Sequence, residues 1–198
     1  VELGAAGENV FLAHCVWLTA HDLRLLRETK TRVVHCPSAN LKLGSGVAKV
    51  PEMGAAGISV TLGADGAPCN NNLDAWHEMR LAALLHKPRV GVTSMDAKTV
   101  FTMCTSGAAA ALGMSGRLGC LRPGAKADMV LVRGDGPHAL PAGDVYGRLV
   151  YAHRASDVHA TMVDGEWLYR QGRWLTLEAP RLQRDAVREF NRIAEKAL

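Results

Sequence analysis

Two spacings of apolar residues alternate along the first half of the chain. Short runs of β-forming residues predict strands at 9–15, 32–37 and 59–65. Runs with apolar residues near helical spacing predict helices at 19–30, 47–57 and 73–87. Thr19 is a suitable N-cap for the first of these helices. Since strands that alternate with helices form βαβ crossovers, we expect the three strands to pair in parallel.

The pattern changes after another predicted helix at 96–112. From Gly113 onward, glycines separate short predicted strands, one of them in the run GRLVYAHR at 147–154. An amphipathic helix is predicted at 179–198. We therefore expect an α/β part at residues 1–112, a β-rich part at 113–177 and a C-terminal helix at 178–198.

Composition and charge narrow the class of protein. The chain has 198 residues, of which 48% are hydrophobic, and a formal charge of +4. Its Lys and Arg residues are scattered, so we expect no nucleic-acid surface. No apolar run approaches the roughly 18 residues of a membrane span, so we expect a protein without membrane association. Five dispersed cysteines without a C-x-x-C pair indicate reduced thiols and a cytoplasmic location.

Three polar residues fall at or near the predicted strand ends, where ligands gather in parallel α/β folds: His14, His35 and Asp65. Taken singly, such a histidine is more often structural, and an aspartate between glycines more often belongs to a turn or cap. Their equivalent positions on successive strands favour a functional site. The asparagines at 70–72 are equally compatible with a helix cap and with a substrate contact.

Alternation along a strand bears on the neighbouring cysteines. His14 and Cys15 are expected on opposite faces, and so are His35 and Cys36. If the histidines face a barrel interior, the cysteines face the helices. This arrangement disfavours a zinc site made of both residue types.

A family resemblance is carried by the stretches LAHCVWL (12–18), VVHCPSANLKLGSG (33–46) and VTLGADGAPCNNNLD (60–74). They resemble the second half of an amidohydrolase-superfamily enzyme, in the branch of chlorohydrolases, methylthioadenosine/S-adenosylhomocysteine deaminases and guanine deaminases. The resemblance implies an α/β fold: the C-terminal part of a (β/α)8 TIM-type barrel, strands 6–8, with part of a small β-sandwich domain and a C-terminal helix.

The resemblance also implies roles for four residues. Asp65 is expected to bind a single divalent metal, zinc before iron, and to shuttle protons from the attacking water. His14 is expected beside the metal, polarising the substrate or stabilising hydroxide. His35 and Asn40 are expected to contact the substrate or to support the residues that contact it.

The implied activity is hydrolytic deamination of a purine, pyrimidine or triazine-like N-heterocycle by a metal-activated water. The family's H-x-H pair, a further histidine ligand and a catalytic glutamate have no counterpart in this sequence. We therefore expect a C-terminal fragment, inactive alone, that needs the N-terminal half of the enzyme and forms a homo-oligomer. Hydrolytic dechlorination of triazine type and a non-catalytic structural role stay open.

Overall fold

The computed structural model of the protein describes residues 4–197. The ends of the predicted parts at residues 1–3 and 198 lie outside this range. The chain forms two compact units, one comprising residues up to Ala125 together with Gly134–Asp157, the other comprising Lys126–Arg133 and the residues from Val158 onward. The three-part division at residues 112 and 177 stays a prediction.

A parallel three-stranded sheet organises the first unit. Its strands, in spatial order, are β1 (Phe11–Ala13), β2 (Arg32–His35) and β3 (Val60–Leu62). Ala13 pairs with Val34, and Val34 pairs with Thr61, so the three strands end close to the same level. The mixed α/β class and the parallel pairing predicted from the sequence are confirmed.

Nine helices accompany this sheet among the described residues. They are α1 (Ala20–Glu28), α2 (Pro37–Lys42), α3 (Val50–Ala55), α4 (Ala67–Asn70), α5 (Ala75–Leu85), α6 (Lys87–Val90), α7 (Ala97–Cys104), α8 (Ser106–Ala111) and α9 (Val145–Gly147). Thr19 caps α1 as predicted. None of the described helices is both long and apolar enough to cross a membrane.

The core of the first unit lies between the sheet and these helices. Val33 is fully buried on one face of β2 and packs in a cluster with Met53 of α3, Met79 of α5 and Val100 of α7. Because side chains alternate along a strand, His35 lies on the same face of β2 as Val33. The face of the sheet that carries Val33 and His35 is therefore the face that packs against the helices.

Two predicted elements of this unit are wrong. The predicted helix at 96–112 is broken at Thr105 into α7 and α8. The strand predicted within 147–154 is helical: α9 continues into a π-helical turn at Arg148–Ala152. The Asp144 side chain accepts a hydrogen bond from Gly147 N, which starts the helix, and Val150 is fully buried within it.

The second unit contains an antiparallel sheet and a long helix. Its strands, in spatial order, are β4 (Met129–Val132), β5 (Val158–Val163), β6 (Glu166–Arg170) and β7 (Arg173–Trp174). The helix α10 spans Ala179–Ala197. It carries exposed apolar side chains at Leu182, Val187, Phe190 and Ile193.

Candidate active site

His14 lies where β1 ends and leaves the extended conformation. Its φ is +67°, in the left-handed region that non-glycine residues seldom adopt, and its backbone N donates to Val34 O at 2.9 Å. Cys15 follows with φ +47°. The alternation rule therefore does not apply to these two residues, because neither continues the strand.

Asp65 occupies the corresponding position after β3. It also adopts a positive φ, +63°, and its Oδ1 accepts a hydrogen bond from Gly66 N at 2.7 Å. Its Oδ2 lies 3.7 Å from His14 Nε2. Positive φ angles at two facing residues are typical of functional sites, where the surrounding structure holds an unfavourable backbone.

Gly63 allows the chain to reach Asp65 from β3. A Cβ at this position would lie 2.6 Å from Val34 Cγ1, well inside van der Waals contact. Gly63 N donates to His35 O at 2.9 Å, which continues the β2–β3 pairing past the strand end. The close approach of the β2 and β3 backbones therefore determines the position of the chain just before Asp65.

Asn40 holds the other side of the His14 ring. It lies on α2, is 2% exposed, and its Oδ1 is 2.8 Å from His14 Nδ1. An amide oxygen can only accept, so Nδ1 carries the hydrogen and Nε2 of the neutral ring keeps its lone pair. Asn40 Nδ2 is buried and has no hydrogen-bond partner among the described residues.

Unlike the side chains of His14 and Asp65, the side chain of His35 is not exposed at the site. Its side chain is fully buried, its ring centroid lies 5.9 Å from that of His86, and neither of its ring nitrogens has a partner among the described residues. Burial lowers the pKa of His35 to about 3. The expected substrate contact stays a prediction, and no surface of this ring is accessible.

Two cysteines of this unit, the buried Cys36 and the partly buried Cys104, have raised thiol pKa values. Burial, with the charges of Asp65 and Glu78, raises the pKa of Cys36 to about 11, and burial raises that of Cys104 to about 12. Both thiols stay protonated at neutral pH, whereas the thiolate is the form that binds metals. That a mixed cysteine–histidine zinc site is disfavoured stays a prediction from the sequence.

Glu78 and Asn70 belong to the surroundings of the site and were missed by the sequence analysis. Both are buried, and Asn70 Nδ2 donates to Glu78 Oε1 at 2.7 Å. Asp74, rather than an asparagine, caps α5 by accepting from Trp76 N. The sequence signal that could have identified Glu78 is its position beside Met79 on the buried face of an amphipathic helix.

The donor set of the pair fits part of a divalent-metal site. Imidazole nitrogen and carboxylate oxygen both bind zinc, and the facing atoms His14 Nε2 and Asp65 Oδ2 are partly exposed. Three or more protein ligands are normal for zinc, and these two residues supply fewer. The pair therefore fits a metal only when further ligands complete the site.

A second cluster of ligand-type side chains lies elsewhere in the first unit. His138 Nε2 and His153 Nδ1 lie 2.8 Å and 3.2 Å from the same oxygen of Asp157, and Arg154 N donates to that oxygen as well. One carboxylate oxygen thus accepts from three donors. This arrangement ties a 3-10 turn at Pro137–Ala139 to the residues after the π-helical turn.

Comparison with known proteins gives a consistent result. A family model described as "Amidohydrolase family" matches residues 2–168. A 5-methylthioadenosine/S-adenosylhomocysteine deaminase from Moorella thermoacetica is 44% identical over 192 residues, covering 96% of this chain and 45% of that protein. The chain therefore spans less than half the length of this curated relative.

Solved structures are similar over nearly the whole chain. An adenosine deaminase from Xanthomonas campestris with bound zinc superimposes with a TM-score of 0.93 at 31% identity, covering 98% of this chain and 44% of that one. An atrazine chlorohydrolase from Arthrobacter aurescens complexed with zinc gives a TM-score of 0.84 at 27% identity, covering 94% and 42%.

Proposed function

The chain belongs to the amidohydrolase family, and on that premise we propose that it contributes part of the active site of a metal-dependent deaminase. The proposed substrate is the amino-substituted purine ring of an adenosine-type nucleoside, since similar proteins carry deaminase names of that class. The observation that carries the proposal is the distance of 3.7 Å between His14 Nε2 and Asp65 Oδ2. We assign β1 to β3 as barrel strands six to eight.

Asp65 is the proposed metal ligand of this chain, and zinc is the proposed metal because two similar structures contain it. When bound, a divalent metal lowers the pKa of a water molecule to about 7 and so supplies a nucleophile at neutral pH.

Asp65 is proposed to move the proton of the attacking water. Its Oδ1 is held by Gly66 N, so Oδ2 is the oxygen that faces His14. An ionised carboxylate there accepts the proton and returns it to the departing amine. A carbon–oxygen bond forms, the carbon–nitrogen bond breaks, and the products are a keto purine and ammonia.

His14 is proposed to orient the reacting groups. With its Nδ1 hydrogen held by Asn40 Oδ1, the neutral ring offers the Nε2 lone pair to a hydrogen of the attacking water. The charged ring instead donates from Nε2 toward the negative charge that builds on the substituent of the attacked carbon. Asn40 thereby supports the reaction through His14, and a direct contact of Asn40 with substrate is also proposed.

Substitution of Asp65 tests the function. In the assembled enzyme, Asp65→Asn is expected to lower the release of ammonia from 5-methylthioadenosine or adenosine at least about 100-fold, because Asn cannot accept the proton. The matched control is Asp135→Asn, at an exposed position outside the site, and it should leave turnover unchanged. Equal rates for wild type and Asp65→Asn would rule out the proposal and favour a structural role.

Hydrolytic dechlorination is the second candidate, favoured by the likeness to the atrazine chlorohydrolase. Asp65 and His14 would serve it equally, because the leaving group changes while the attacking water does not. Parallel measurement of ammonia and chloride from an aminopurine and a chlorotriazine distinguishes the two. Chloride release alone would assign dechlorination.

The number of ligands supports a partner polypeptide that completes the metal site. His14 and Asp65 fall short of the three ligands usual for zinc. We propose that residues equivalent to the N-terminal half of the relatives complete the site, and that the whole enzyme is a homo-oligomer.

A further inference from the structure

Glu78 is an unusual charge for the interior of this unit. Its side chain on α5 is 2% exposed, and it forms no salt bridge with any cation in the described part of the chain. A buried carboxylate without a cationic partner is costly unless hydrogen-bond donors surround it. The donors to this carboxylate are Ser38 N and Asn70 Nδ2.

One carboxylate oxygen reaches the segment that carries Asp65. Asn70 Nδ2 donates to Glu78 Oε1 at 2.7 Å and to Ala64 O, also at 2.7 Å. Asn70 Oδ1 accepts from Asn72 N at 3.2 Å, so the amide is fully engaged. Since Ala64 immediately precedes Asp65, this connection holds the backbone from which the Asp65 side chain projects.

The other carboxylate oxygen reaches the segment that orients His14. Ser38 N donates to Glu78 Oε2 at 3.2 Å. Ser38 lies in the first turn of α2, two residues before Asn40, whose Oδ1 pairs with His14 Nδ1. The same side chain thus connects, through two residues on each side, to both members of the His14–Asp65 pair.

We propose that Glu78 is a positioning residue that sets the spacing of His14 and Asp65. This inference rests on the proposed function. A carboxylate only accepts hydrogen bonds, and both groups that contact it are donors, so its chemistry matches the position. Glutamine has nearly the same shape but places a donor amide against either Ser38 N or Asn70 Nδ2. The variant Glu78→Gln therefore breaks one connection while preserving volume.

The test compares Glu78→Gln with Glu52→Gln in the assembled enzyme. Glu52 lies in the same unit and pairs with Arg89 at the surface. Three quantities are measured: amide hydrogen exchange of residues 37–40 and 63–72, zinc affinity by chelator competition, and kcat at saturating zinc. We expect Glu78→Gln to speed exchange in both segments and to lower zinc affinity and kcat by about 10- to 100-fold, as for other groups that orient metal ligands. Glu52→Gln should change none of the three.

Circular dichroism shows whether Glu78→Gln folds. If it does not, a second variant, Asn70→Ala, tests the inference. Asn70→Ala removes the hydrogen bonds of the Asn70 side chain to Ala64, Glu78 and Asn72 N. It keeps the contact of Glu78 with Ser38 N. It should speed exchange at 63–72, leave 37–40 unchanged and lower zinc affinity in the same direction. Unchanged zinc affinity in Asn70→Ala would overturn the inference.

The outcomes separate this inference from the proposed function. If Asp65→Asn abolishes turnover while Glu78→Gln retains wild-type zinc affinity and kcat, the function stands and Glu78 is merely structural. If Asp65→Asn is silent, the function fails, and faster exchange in both segments with weaker zinc binding still supports positioning by Glu78. Faster exchange with unchanged zinc affinity contradicts the inference in either case.

Discussion

At the residue scale, chemistry in this protein depends on how individual side chains are held. His14 and Asp65 both adopt positive φ angles at strand ends, and each has one polar atom already engaged, by Asn40 and by Gly66 N. The remaining atoms, Nε2 and Oδ2, face each other at 3.7 Å. The local backbone and these hydrogen bonds therefore orient the two side chains toward each other.

Because His35 is buried, we expect the folded protein to lose stability in acid. Burial lowers the pKa of His35 from 6.5 to about 3, so between these values the unfolded chain binds one proton more than the folded chain. Stability should be independent of this group above pH 6.5, and fall as pH drops toward 3 with a slope of up to about 1.4 kcal/mol per pH unit.

Chemical denaturation between pH 7 and pH 4 checks this prediction. His35→Leu should show a shallower fall in unfolding free energy than wild type, because the titrating group is gone. His21→Leu, at an exposed position of α1, should retain the wild-type slope. Parallel curves for His35→Leu and wild type would contradict the assignment.

At the element scale, local signals determined some boundaries and tertiary contacts determined others. The capping box at Thr19 and Asp22 starts α1 where the sequence placed it. The predicted helix at 96–112 breaks at Thr105 because another segment approaches there: a Cβ at Gly119 would lie 2.6 Å from Thr105 C and O. The strand prediction for residues 148–152 is wrong because a short apolar run does not distinguish a buried helix from a strand.

Removal of the α1 cap measures the local contribution. Thr19 Oγ1 accepts from Asp22 N at 3.2 Å, and Thr19→Ala should lower the free energy of unfolding by about 0.5–2 kcal/mol, as for other N-cap losses. Urea denaturation gives the value. Thr93→Ala, at an exposed turn position, serves as the control. A loss of equal size in both variants would show that the cap contributes nothing particular.

At the scale of the whole molecule, the proposed metal site needs more donors than the His14–Asp65 pair supplies. The chain spans about 45% of a curated relative, and its site pair supplies two donor side chains where zinc normally takes at least three protein ligands. All four residues of the candidate site and its supporting connections, His14, Asn40, Asp65 and Glu78, lie in the first unit.

The 198-residue chain by itself is therefore expected to bind zinc weakly and to show no turnover. After incubation with zinc and dialysis, metal analysis should find well under one zinc per chain, and no ammonia should be released from adenosine. Addition of the complementary polypeptide should restore both, with Asp65→Asn as the control that does not recover. One retained zinc per chain together with turnover would contradict the prediction.

The sequence by itself determined the alternation of strands and helices, the parallel pairing, and the placement of His14 and Asp65 at strand ends. These follow from periodicity and from rules that act over a few residues, and the family motifs in the same segments agree with them. Tertiary structure alone decided that His35 faces the helices beside His86, that α7 ends at Thr105, and that Glu78 connects the Asn70 and Ser38 segments. Each depends on atoms brought together from distant positions in the chain, and such contacts leave no periodic signal in the sequence.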